Sequence, residues 1–208
     1  MIRIAAIATM VLFLCLFFYL PSVYGPERFL DQIHVEHALN DRFCGEAHAL
    51  RVLDRAMTLH GEVQSNAPNP AALSAAAASS PVDAVAAQRL AEATARLFNN
   101  PYTRSIDALL TLFLFRLSGL LEWLGLMVGF VVACVIDGYL RRSIKSTQFE
   151  QHSAELFSLH MTLGVLIVCG SLVLFLLPVT FHPFALIAPP ILVGLFGNRG
   201  IASFHAQG

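Results

Sequence analysis

Four stretches of the chain are apolar without the regular polar interruptions of an amphipathic surface helix. Ile4 to Leu20 form the first, Leu117 to Ile136 the second, Leu159 to Leu177 the third and Phe181 to Phe196 the fourth. A bilayer core about 30 Å thick needs about 20 such residues in a helix, so each of the first three predicts a transmembrane span. The fourth contains Pro183, Pro189 and Pro190 and reaches only about 24 Å at 1.5 Å per residue. A kinked or re-entrant path stays open for it beside a full crossing.

Between the first two runs the pattern changes. From Pro26 to about Glu62, the apolar residues Leu39, Phe43, Ala47, Leu50 and Met57 recur at spacings of three, four and seven, which predicts one amphipathic helix. Residues 63–81 turn to Asn, Pro, Ala and Ser, the composition of a linker. A second amphipathic helix is expected from about Val82 to Phe98, broken at Asn99-Asn100-Pro101. Together they make a helical hairpin too short for an independent domain. The expected fold class is all-α: a polytopic membrane helix bundle of about four transmembrane helices, with an extramembrane helical hairpin between the first and second.

Three regions follow: 1–25 as the first transmembrane helix, 26–104 as an outer-face helical segment, and 105–208 as a three-span membrane domain with a loop at 137–158. The first run is expected to stay as an anchor. Pro21 to Pro26 offers no clean small-x-small cleavage site, and the apolar core exceeds a typical signal h-region. Orientation comes from lysine and arginine in short loops. Arg141, Arg142 and Lys145 follow the second span, Arg3 precedes the first, and Arg199 follows the fourth. The link from Pro178 to Pro183 carries no Lys or Arg. This places both termini and the 137–158 loop in the cytoplasm, and residues 26–104 on the outer face.

Composition agrees with the pattern. Of 208 residues, 56% are hydrophobic and 13% charged, against about 25% charged in a soluble domain. The net charge of −1 gives no basic field for counterion release, so no direct nucleic-acid binding is expected. Cys15, Cys134 and Cys169 lie in apolar runs and Cys44 stands apart, so no intramolecular disulfide framework is implied. No phosphate loop, nucleotide-binding glycine motif, HExxH or nucleophile elbow occurs. The expectation is a chain without enzymatic activity and without a cofactor.

Some residues still carry candidate chemistry. His34, His37, Asp41, Cys44 and His48 fall at spacings of three and four, one face of a continuous helix, with ligand types that suit zinc. His34 and His48 would lie roughly 21 Å apart along its axis. An ordinary polar face is therefore preferred over a metal site. Glu122 is the one acid well inside a predicted span, and such groups mark ion pathways or interfaces; beside Trp123, an interfacial role is preferred. Ser118, Glu122, Gly125, Gly129, Ala133 and Asp137 share one face, and span three offers His160, Gly164 and Ser171. Small residues let helices approach closely in lipid. Packing between these spans is the preferred reading, with self-association into a homo-oligomer as the alternative. Asp137 and Gly138, followed by Arg141, Arg142 and Lys145, read as a helix end at the cytoplasmic membrane exit with an internal Asp–Arg pair. Plain topological anchoring is preferred there; docking of an acidic partner or an anionic lipid headgroup is the alternative.

Several blocks carry a family resemblance. They are Tyr102 to Leu110, Phe115-Arg116-Leu117-Ser118, Leu121-Glu122-Trp123-Leu124, Val135-Ile136-Asp137-Gly138-Tyr139-Leu140-Arg141-Arg142 and Ile144-Lys145-Ser146. This half of the chain resembles a bacterial inner-membrane family encoded on integrating conjugative elements and transfer plasmids, and the likeness fades into the later spans. Phe149-Glu150-Gln151-His152 and Leu159-His160 stand where members carry a glycine-containing stretch and a Tyr-His pair. The resemblance implies a part in conjugative DNA transfer and a link to type IV secretion machinery, and no catalytic residue comes with it. The leading expectation is a non-catalytic membrane component that meets the lipid bilayer and other membrane proteins of a transfer apparatus. The rival is a small transporter or channel subunit with Glu122 in the pathway.

Overall fold

A computed structural model describes residues 2–66, 100–147 and 154–203. Among them the chain is helical: α1 (Ile2–Val23), α2 (Pro26–Cys44), α3 (Glu46–Asn66), α4 (Pro101–Thr147), α5 (Ala154–Leu176), a 3-10 turn (Pro183–Ile187) and α6 (Ala188–Ser203). Four segments are long and apolar enough to cross a membrane: Arg3–Val23, Pro101–Ile144, Glu155–Leu176 and Pro183–Ser203. The all-α expectation with four such helices holds. The second amphipathic helix expected at 82–98 lies outside the described residues, as does most of the linker.

The chain divides into two compact units, Phe17–Ser118 and Met1–Leu16 with Gly119–Gly208. In the first, α2 and α3 pack as a pair. The single helix expected from Pro26 to Glu62 is broken: α2 ends at Cys44, and Gly45 adopts φ 87°. Only glycine takes that backbone region at little cost. The Gly45 N–H donates to the Asp41 carbonyl at 3.0 Å, closing the helix, and α3 begins at the next residue. Pro26 opens α2 in the first turn, after Gly25, where a missing N–H costs nothing.

That break resets the helical phase, so residues on either side of Gly45 no longer share a face. The expected apolar stripe is turned outward: Phe43, Leu50 and Met57 are exposed. The inward face of α2 is instead Phe29, Gln32, Ile33, Glu36 and Asn40, and that of α3 is Ala49, Val52 and Ala56. In the first half of α4, Ala108, Leu109, Leu112 and Phe115 are likewise buried. Asn100 caps α4, its Oδ1 accepting the Tyr102 N–H at 3.2 Å. The Tyr102 hydroxyl then donates to the Phe18 carbonyl at 2.9 Å, tying the end of α1 to α4.

In the second unit, α5 and α6 pack along each other. The prolines of the fourth apolar run sit where they do no damage. Pro183 opens the 3-10 turn, capped by His182, whose Nδ1 accepts from the Phe184 N–H at 3.4 Å. Pro189 and Pro190 occupy the first turn of α6, ahead of any broken intrahelical bond. The second run does not end at Asp137 as expected. Helix α4 continues through Asp137 and Gly138 to Thr147, and Gly138 serves a close helix contact there and not a helix stop.

Candidate functional site

The motif of Asp137, Gly138 and Arg141 is organised by Asn198, a residue with no local signal of its own. Asn198 on α6 donates from its single Nδ2 to the Cys134 carbonyl at 2.9 Å and to Asp137 Oδ2 at 2.7 Å. The same Asp137 oxygen accepts from Arg141 Nε at 2.8 Å, one helical turn on. The expected Asp–Arg pair therefore exists, with Asn198 as its third member. Approach this close is possible because Gly138 has no side chain: a Cβ there would stand 2.8 Å from the Asn198 backbone oxygen. Further along, Gly194 faces Phe130 and Cys134, and Gly200 faces Met161. Cys134-x-x-x-Gly138 on α4 meets Gly194-x-x-x-Asn198 on α6, the spacing by which helices approach without a hydrophobic drive.

The other unit holds a second cluster. Arg116 is 1% exposed and sets its guanidinium on the buried carboxylate of Glu36. Its Nε donates to Oε2 at 3.1 Å, and a terminal nitrogen donates to Oε1. Gln32 Nε2 also donates to Glu36 Oε1, at 3.1 Å. Two residues after the arginine, the Ser118 hydroxyl donates to the Val52 carbonyl at 2.8 Å. Thus Arg116 is fixed to α2 and Ser118 to α3. A buried carboxylate is tolerated only when paired and hydrogen-bonded, and both conditions are met. In the sequence alone, Arg116 marks only the border of an apolar run.

Comparison with known proteins bears on both clusters. The family model described as "IncC plasmid conjugative DNA transfer protein DtrJ-like" matches residues 56–205. The chain belongs to the DtrJ-like family. Membership implies a role in conjugative DNA transfer. No curated protein and no solved structure matches the chain. The DtrJ-like match starts ahead of Tyr102 and runs through the last apolar helix, farther in both directions than the resemblance read from α4. It therefore takes in Asn198 and Arg116, and leaves Glu36 before its start.

The other candidates fall as follows in this DtrJ-like chain. Gly125, Gly129 and Gly164 have nothing within 4 Å of where a Cβ would stand, and Ala133 is exposed. The preferred packing between that stripe and span three is not formed among the described residues. Ser171 is buried but donates to its own helix, at the Ile167 carbonyl. Glu122 is half-buried, and the neighbouring Trp123 ring meets Phe184 edge-on with centroids 6.2 Å apart. Lys145 lies in the last turn of α4, beyond Arg142. The shared face of His34, His37, Asp41, Cys44 and His48 is cut at Gly45. No group of three or more metal-ligating residues gathers among the described residues. Burial pushes the Cys44 thiol up, which disfavours the thiolate that a metal needs.

Proposed function

We propose that the chain is a non-catalytic inner-membrane component of a conjugative DNA-transfer apparatus related to type IV secretion, acting through helix packing and contacts with other membrane proteins. The carrying observation is the uncovered apolar surface. Only 11% of the apolar window is buried in each of the first three candidate spans, and 22% in the fourth. A water-soluble monomer rarely exposes apolar patches beyond a few hundred Å², whereas lipid tails solvate such helices directly. The charged groups that the fold brings together favour a structural role. Glu36 and Arg116 engage each other, and Asp137 holds Arg141 and Asn198, so each cluster joins helices. The basic residues after the second apolar run and at Arg199 support cytoplasmic termini by the positive-inside rule.

The test is genetic and topological. An in-frame deletion of the coding sequence in the donor is expected to lower transfer frequency, with restoration by the intact gene. Reporter fusions at Pro70 and Gln148 are expected to report opposite sides of the membrane. Recovery of the chain in the soluble fraction, or undiminished transfer without it, would refute the proposal.

A further inference from the structure

We infer that the end of the second unit bearing Arg141, Arg142 and Arg199 is a docking surface for the headgroup of an anionic phospholipid. The inference rests on the membrane reading above and adds a specific ligand to it. It starts from the Asn198 clasp. Because Asn198 sits against Cys134, Asp137 and Gly138, its neighbour Arg199 lies within about one helical turn of the level of Arg141 and Arg142 on α4. Arg199 is exposed, and the Arg141 side chain is 63% exposed although its Nε is given to Asp137. Lys145 follows one turn later on α4. The carboxylates described at this end are Asp137, already holding Asn198 and Arg141, and Glu155 in the first turn of α5. Among the described residues at this end, cations outnumber acids.

What surrounds the cations selects the ligand. Ile136, Tyr139, Leu140 and Ile144 on α4 and Leu195 on α6 are large, apolar and exposed, interleaved with the arginines. An acidic peptide would satisfy the guanidinium groups and leave these side chains in water. A phospholipid uses both, placing its phosphate among the arginines and its tails along the apolar residues. Basic sites between helices on the cytoplasmic side suit such headgroups. Clamping α4 to α6 fixes the spacing of the charges before the lipid arrives, so little ordering cost remains on binding.

The full-length chain, extracted from membranes in mild detergent, is assayed by native mass spectrometry for retained lipid and titrated with phosphatidylglycerol, phosphatidylethanolamine or inorganic phosphate. Wild type is expected to retain phosphatidylglycerol over phosphatidylethanolamine, and phosphate at equal concentration should not displace it. The triple substitution Arg141→Gln, Arg142→Gln, Arg199→Gln should weaken binding about a hundredfold. The single change Arg199→Gln, at an exposed position, should weaken it about fivefold in a chain that folds normally. Equal retention by wild type and Arg199→Gln, displacement by inorganic phosphate, or co-purification of an acidic protein at these arginines in place of lipid overturns the headgroup site alone. A chain that needs no detergent overturns both this inference and the membrane reading.

Discussion

The two units solve the problem of joining helices in opposite ways. In Phe17–Ser118, the interface of α2 with α4 is polar at its centre: Gln32, Glu36, Asn40 and Arg116 are buried, while Leu50 and Met57 are exposed. In the Gly119–Gly208 unit, the outward surface is apolar, and the contacts between α4 and α6 are made by Gly138, Gly194 and one asparagine. The difference fits the solvents proposed for the two units. A buried ion pair gives geometric specificity at a desolvation cost of several kcal/mol per ion, which a unit with an apolar core of its own tolerates. Helices facing lipid gain nothing from hiding leucine, so close backbone approach and hydrogen bonds hold them.

The comparison breaks most visibly at the ion pair. Arg116→Met should destabilise the first unit by about 3–5 kcal/mol, because it leaves the Glu36 charge buried and unpaired. Adding Glu36→Leu should recover most of that loss, since an apolar pair of similar volume needs no desolvation. Denaturation of the detergent-solubilised chain, followed by circular dichroism, measures both. A double variant as unstable as the single one would show that the pair itself, and not its desolvated remnant, holds the unit together.

A smaller effect separates the glycines of the other unit. Gly138→Ala places a Cβ 2.8 Å from a backbone oxygen, which no rotamer can relieve. It should cost about 1–3 kcal/mol as overpacking. Gly129→Ala meets nothing within 4 Å and should change stability by less than about 0.5 kcal/mol. If Gly129→Leu shifts only the oligomeric state in crosslinking, the stripe serves another copy of the chain. If it unfolds the monomer, the open surface assigned to that stripe is wrong.

The smallest effect concerns Cys44. Its thiol is raised by burial, so the folded chain holds that proton more tightly than the unfolded chain does. The associated stability is present below the unfolded thiol's pKa and is lost as pH climbs through the higher folded value. Alkylation by iodoacetamide should accordingly be slower in the folded chain than in denaturant at pH 8, with the gap narrowing at higher pH. Equal rates at pH 8 would contradict the half-buried placement of Cys44.

Much of the fold was legible because hydrophobic length is a local property. The apolar runs around Ile4, Leu117, Leu159 and Phe181 each reappear in a helix of the structure. Prediction failed where the signal depends on phase or on partners. Across residues 26–62, the helical character was sound on each side of Gly45, but a single residue at φ 87° separated the two halves, and the expected stripe of Phe43, Leu50 and Met57 is exposed on both sides of it. The Gly125–Gly129 pair was the more conspicuous small-residue motif. The pair in use is Cys134 with Gly138, less obvious because cysteine is not read as small as readily as glycine. Its partner spacing on α6, Gly194 to Asn198, was available in the sequence as a signal.

The residues alone therefore determined the number and character of the apolar helices, the scarcity of charge and the likeness to a conjugative-transfer family. Those depend on composition and on spacing within one segment. Which face each helix turns inward, and which charge meets which, was decided only in three dimensions. Glu36 and Arg116 stand 80 residues apart, and Asn198 and Asp137 stand 61 apart. No local pattern can reveal that two polar groups will satisfy each other across such a distance, yet for Glu36 and Arg116 that mutual satisfaction makes burial tolerable.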